Sequence, residues 1–204
     1  MKREEKNLLT RRKIIDSALQ EFSERTYSEA SLNTICKLGN ISKGIIYHYF
    51  KDKDELYLIC IKECFDSLTS FLSKEVIVDE KDIKKSLQKY FEARITFFSK
   101  NPLYLNLFCS VVSNPPQHLA KEIAEIKSDF DKLNISVLTQ LLESVKLRPG
   151  ITIREVVDDF RLYQDYFNTQ YQKKEKNKFT LKEHEERCHR SLNILLYGIV
   201  DQKE

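Results

Sequence analysis

Residues 31–53, SLNTICKLGNISKGIIYHYFKDK, place several side chains at spacings suited to gripping a polyanion. Lys43 can donate to guanine O6/N7 or to a phosphate, and Tyr47 and His48 can hydrogen-bond phosphate oxygens. Gly44 lets a helix backbone approach a groove wall or a base closely. Ser42 adds a hydroxyl and free backbone N–H groups at a helix start, which suits a phosphate. Ile45 is an apolar residue at the edge of this set and suits contact with a thymine methyl. Lys53 opens the next helix and is expected to flank the same groove. Ser31 and Asn33, at the start of the preceding helix, complete the expected DNA-binding set.

These residues need rigid supports, and the local pattern supplies them. Ser31 caps a short helix through Leu38, which ends at Gly39-Asn40. Ser42 then caps a second helix ending near Phe50. On that second helix Ile46, Tyr49 and Phe50 fall on one side and are expected to face a core. The opposite side presents Gly44, Tyr47 and His48, with Lys43 and Ile45 at its edges. The arrangement is a helix-turn-helix, whose second helix fits the major groove of DNA. For Tyr49 a packing role is the better reading.

The rest of the chain reads as helix. Only four Gly and four Pro occur in 204 residues, so breaks are few. Nine helical segments are expected: about 8–24, 31–38, 42–50, 53–73, 81–99, 102–112, 117–146, 152–174 and 180–200. Pro102 opens the sixth and Thr152 caps the eighth. Val76-Ile77-Val78 has strand propensity but no partner strand, and is read as an ordered connection.

Charge is unevenly divided. Residues 1–53 hold 11 Lys/Arg against 7 Asp/Glu, whereas the remainder is nearly balanced within a net of +3. A polyanion partner would draw on that N-terminal excess. Cys36, Cys60, Cys64, Cys109 and Cys188 form an odd set without a CxxC pair, which suits reduced thiols in a cytoplasmic protein. The polar N-terminus MKREEKNLLTRRK lacks the apolar core of a secretory signal, and no apolar run is long enough to cross a membrane.

The N-terminal segment resembles the DNA-binding domain of the tetracycline-repressor (TetR) family. Phe22, Tyr27, Ser31, Ile35, Ile41, Ser42, Lys43, Gly44, Ile46, Tyr47, Tyr49, Phe50, Lys51, Lys53 and Leu56 carry the resemblance, over roughly 8–67. Thr26 stands where Gly is common, and Gly39-Asn40 replaces Ala-Gly, Asn being the next-best residue for a left-handed turn. The resemblance implies an all-α, nine-helix, two-lobed subunit. A three-helix helix-turn-helix domain at 8–68 (helix-turn-helix 31–50) would be followed by a ligand-binding and dimerisation domain at 75–204. It further implies a homodimeric repressor on a palindromic operator of double-stranded DNA, released by a small-molecule effector.

In the larger lobe aromatic residues recur at helical spacing, usually a sign of core. Under the resemblance, Phe98, Tyr104, Phe108, Tyr163 and Phe167 are expected to line an effector site. Arg94 would face an anionic ligand, or equally an acidic neighbour such as Asp159. The last two helices, apolar along one side, are expected to form the homodimer contact.

No catalytic set, cofactor motif or metal-ligand set is found: there is no phosphate-binding Gly loop and no HExxH. His184 and Cys188 share a face without a third partner, and His118 stands isolated. Two alternatives compete with the repressor reading. One is a redox-sensing regulator using Cys60 and Cys64, and the other a helical protein-interaction module that never meets DNA.

Overall fold

The computed structural model describes residues 3–76, 82–144 and 146–173, with residues 183, 186, 187, 189–191 and 194 beyond them. The side chains at 83, 84, 164, 165 and 167–173 lie outside that description. The fold is all-α. Eight α-helices stand among the described residues: α1 (Arg3–Glu24), α2 (Leu32–Gly39), α3 (Lys43–Tyr49), α4 (Lys53–Glu75), α5 (Ile83–Lys100), α6 (Pro102–Ser113), α7 (Ala120–Glu143) and α8 (Ile153–Lys173). The expected ninth helix falls largely outside the described residues. Those of its positions that are described are helical.

Local chemistry accounts for most of the boundaries. Ser31 Oγ accepts from Thr34 N at 3.1 Å and Ser42 Oγ from Ile45 N at 3.3 Å, so both hydroxyls satisfy a first-turn N–H. Thr152 and Glu155 form a reciprocal capping box at the start of α8. Asn40 closes α2 in the left-handed region (φ 44°), and Ile41 N donates to Cys36 O at 3.0 Å. Gly39 serves packing: a Cβ there would stand 2.7 Å from Ser17 Oγ on α1. Thr26 needs no special backbone, since Asn40 is the one non-glycine residue with positive φ among those described.

Three boundaries differ from expectation by three residues or more, one of them the end of the seventh helix, at Glu143 rather than near Lys146. The first helix starts at Arg3 rather than Leu8. The seventh starts at Ala120 and is preceded by a 3-10 turn at Gln117–Leu119, where Leu119 N donates to Pro116 O at 3.0 Å. Two consecutive prolines supply no N–H and bias their neighbours toward extended backbone, so the chain enters α7 through one tight turn.

The chain groups into two compact units, each discontinuous in sequence. The first takes residues 1–65 and 102–127, the second 66–101 and 128–204. In the first, α1 packs on α2 and α6. Ile14, Ala18, Phe22, Ile35, Ile46 and Phe50 form its buried centre with the start of α4. The second buries Leu72, Leu87, Phe91, Phe98, Leu141 and Phe160. Among the described residues no helix is long and apolar enough to cross a membrane.

Candidate DNA-binding surface

α3 is anchored from beneath by Ile46 (0% exposed) and by Phe50 just past its end (1%). Arg11 of α1 lies over the Phe50 ring, 5.3 Å from its centroid. Tyr49, half-buried, donates its hydroxyl to Asn7 Oδ1 at the start of α1, and its ring meets His48 edge-on at 5.0 Å. Tyr49 therefore supports the helix, as its place on the wheel suggested.

The outer side of α3 is open. Ser42, Lys43, Gly44, Ile45, Tyr47 and His48 are all exposed, Ile45 at 38% and Tyr47 at 50%. A Cβ at Gly44 would meet nothing nearer than Ser42 Oγ at 4.0 Å. No fold contact calls for glycine there, and glycine weakens a helix. Asn33 is exposed on α2, whereas Ser31 is half-buried with its hydroxyl serving Thr34.

Lys53 sits differently from the other expected contacts. Its Nζ donates to Tyr27 O at 2.8 Å and to Ala30 O at 3.2 Å, and lies 4.0 Å from the Tyr27 ring centroid. Its ammonium is engaged on the connection between α1 and α2.

Two polar clusters within the first unit escaped sequence reasoning. Arg12 of α1 donates to Asp16 Oδ1 at 2.8 Å and to Glu63 Oε2 of α4 at 2.6 Å. Tyr104 of α6 donates to the other oxygen, Glu63 Oε1, at 2.5 Å. Burial pushes the Glu63 carboxyl up, but the hydrogen bonds from Arg12 and Tyr104 outweigh it and hold the group below its ordinary value. The second cluster gathers Tyr27, Asp54 and His118. Tyr27 donates to Asp54 Oδ1, His118 Nε2 stands 3.4 Å from Asp54 Oδ2, and the Tyr27 and His118 rings are 5.4 Å apart. The hydrogen bond from Tyr27 depresses the Asp54 carboxyl. His118, which the sequence leaves isolated, thus joins α4 from the turn before α7.

The expected effector residues divide between the units. Arg94 and Phe98 lie buried in the second, where the Arg94 guanidinium is 6.0 Å from the ring centroids of Tyr90, Phe98 and Phe130. Tyr104 and Phe108 belong to the first, Tyr104 on Glu63 and Phe108 with its ring 5.3 Å from Phe65. Tyr163 is 45% exposed on α8, and the Phe167 side chain is outside the described residues.

The redox alternative finds poor ground. Cys60 and Cys64 are both fully buried, and burial pushes both thiols far above the range in which a reactive thiolate forms. His184 and Cys188 lie outside the described residues. Among the described residues no group of His, Cys, Asp or Glu is placed to hold a metal ion.

Comparison with known proteins agrees with this geometry. Residues 14–59 match the family described as bacterial regulatory proteins, tetR family. The biofilm operon icaADBC HTH-type negative transcriptional regulator IcaR of Staphylococcus epidermidis is 28% identical over 132 residues, 64% of this chain and just under two thirds (66%) of that protein. IcaR of Staphylococcus aureus (strain Newman) is 29% identical over 137 residues, 67% of this chain and 71% of its own length. Among solved structures, the transcriptional regulator FadR from Bacillus subtilis in complex with stearoyl-CoA superposes with a TM-score of 0.71 at 18% identity, covering 92% of this chain and 98% of that one. The fatty acid degradation regulator FadR from Bacillus halodurans gives 0.70 at 20% identity, covering 88% and 92%. At these identities the structural likeness is one of fold.

Proposed function

We propose that the chain is a transcriptional regulator of the tetR family, to which its helix-turn-helix segment is similar, and that it acts as a cytoplasmic homodimeric repressor that leaves a palindromic operator when a small molecule binds. The observation that carries the reading is the outer side of α3. It combines a cation, two hydrogen-bonding rings and a glycine that the fold does not require, on a helix locked from below by Ile46 and Phe50. Lys43, Tyr47 and His48 supply contacts to phosphates and base edges, and Ser42 offers a helix N-terminus to a phosphate. Ile45 and Asn33 stand at the margins of the same surface.

Dimerisation is the geometric counterpart of a palindrome, because two recognition helices about 34 Å apart read half-sites one turn from each other. α8 supports it: Leu162, Tyr163 and Tyr166 are 68%, 45% and 58% exposed at spacings that share a helix face. The functional division remains that of a DNA-binding domain at 8–68 and a ligand-binding and dimerisation domain at 75–204. For the effector, Arg94 and Phe98, together in the second unit, favour an apolar molecule bearing an anionic group. FadR of B. subtilis, solved with stearoyl-CoA, holds a ligand of that chemistry. An effector releases DNA only to the extent that it binds the non-DNA conformation better.

Selection of bound duplexes from a random DNA pool tests the reading. A two-fold symmetric motif is expected, lost in Lys43→Ala and Tyr47→Ala variants that remain folded. Recovery of no enriched motif from the wild-type chain refutes it and favours the interaction-module alternative.

A further inference from the structure

One peptide group in the first unit is held from both ends by opposite charges. The carbonyl of Ala30 accepts from Lys53 Nζ at 3.2 Å, while the N–H of Ser31, the other end of the same peptide plane, donates to Glu21 Oε1 at 3.0 Å. The anion comes from α1 and the cation from the start of α4, so two helices grip the residue pair that begins α2. Lys53 adds a second hold at Tyr27 O, 2.8 Å away, and lies over the Tyr27 ring.

Glu21 is 1% exposed, on a helix face whose neighbours Ile14, Ala18 and Phe22 are apolar. A carboxylate in that position is costly to desolvate, and an aliphatic side chain would pack there at lower cost. Glu21 Oε2 stands 3.7 Å from Arg25 Nε just past the end of the same helix, while Oε1 makes a contact between helices. In a capping box, the third residue of a helix reaches back to the N-cap N–H. Here that third residue is Thr34, whose hydroxyl instead stands 2.9 Å from Ser31 Oγ. The N-cap N–H is served by Glu21, ten residues upstream on another helix. A local capping device has become a tie between helices.

We infer that Glu21 and Lys53 are positioning residues for DNA reading, clamping the Ala30–Ser31 peptide so that α2, and α3 through the Gly39–Ile41 turn, keep a fixed angle to α1 and α4. Lys53 then serves recognition through the clamp and not as a phosphate contact. The inference rests on the DNA-reading function proposed above. Both charges must be present, because the peptide dipole is aligned between them and hydrogen bonds to charged groups are the stronger kind.

The test uses the full chain, its selected operator and a scrambled duplex of equal length. Affinity is measured by fluorescence anisotropy over a salt series. Lys53→Met should lose about tenfold in operator affinity, the worth of one charge-assisted hydrogen bond. Its affinity for the scrambled duplex and its salt slope should stay at the wild-type values. Lys53→Arg should restore most of the loss. Glu21→Leu should behave like Lys53→Met, with Glu21→Gln, which keeps an acceptor, in between. The double variant Glu21→Leu/Lys53→Met should lose less than the two single losses combined, since both grip one peptide. Circular dichroism confirms folding, and Lys53→Arg and Glu21→Gln carry the comparison if the harsher variants unfold. Loss of affinity on both duplexes together with a salt slope lower by about one unit would make Lys53 a phosphate contact and overturn the inference. Additive losses in the double variant, or wild-type operator affinity in Lys53→Met, overturn it as well. A wild-type chain that selects no duplex is a different failure, that of the DNA reading itself, and shows before any variant is made.

Discussion

Adding one methyl group at Gly44 should stabilise the protein and cripple it as a DNA reader. A Cβ at that position meets only Ser42 Oγ, at 4.0 Å, which is ordinary van der Waals distance, and the backbone there is helical. Ala exceeds Gly by about 1 kcal/mol in a helix interior. Position 44 is the second residue of a seven-residue helix, so about half of that, ~0.5 kcal/mol, is the reasonable share. For a chain of this size that raises the melting temperature by about 1–2 °C. Against DNA the sign reverses. A methyl forced into a close-packed contact costs about 1–3 kcal/mol, which weakens operator binding about 5- to 150-fold. Thermal melts followed by circular dichroism and anisotropy titrations on the selected operator read the two effects separately. Gly39→Ala is the internal control. Its Cβ would stand 2.7 Å from Ser17 Oγ, so the same chemical change should destabilise the fold by about 1 kcal/mol or more. A Gly44→Ala variant that binds the operator as tightly as wild type removes the backbone-approach argument. One that melts several degrees lower shows that the fold does use the glycine.

Other outcomes follow from the same contacts. Glu63 is held below its ordinary value near pH 4.5, so its stabilising effect is complete above that pH and is lost as pH falls through the lower folded value. The melting-temperature gap between wild type and Glu63→Gln should therefore be constant from pH 7 to about 5 and shrink below about 4.5; a gap that widens on acidification contradicts the network. Leu162→Glu and Tyr166→Glu on α8 should turn the proposed dimer into monomer by sedimentation, with helicity retained and operator affinity strongly reduced; a dimer that persists in both variants moves the contact elsewhere. Asn40→Ala, which removes the short polar side chain that makes the left-handed region tolerable, should cost about 1 kcal/mol in chemical denaturation, and Asn40→Gly, free of a β-carbon, should avoid that cost. Equal stability of the Ala and Gly variants would discard the strain assigned to φ 44°.

The outward side of α3 was legible from sequence because each of its determinants is local. The capping hydroxyls of Ser31 and Ser42 act within three residues, Asn40 takes its left-handed turn by its own backbone preference, and helical periodicity separates Ile46 from Tyr47. The interior of the second lobe was legible only as apolar periodicity. Tyr104 and Phe98 look alike in that pattern, yet Tyr104 ends on Glu63 in the first unit and Phe98 is buried in the second.

What the sequence determined by itself is the helical class, the helix-turn-helix and the side of α3 that faces outward, since propensity, capping and a 3.6-residue period operate over a few positions. Tertiary structure alone decided how charges are spent. Lys53 reads as a flank of the groove in the sequence but holds the carbonyls of Tyr27 and Ala30, Glu21 is buried on Ser31, and His118 reads as isolated but meets Asp54. Each of these pairings joins residues from 10 to 64 positions apart. No local pattern encodes them, because a charged side chain takes whichever partner the packing of other helices brings within hydrogen-bond reach.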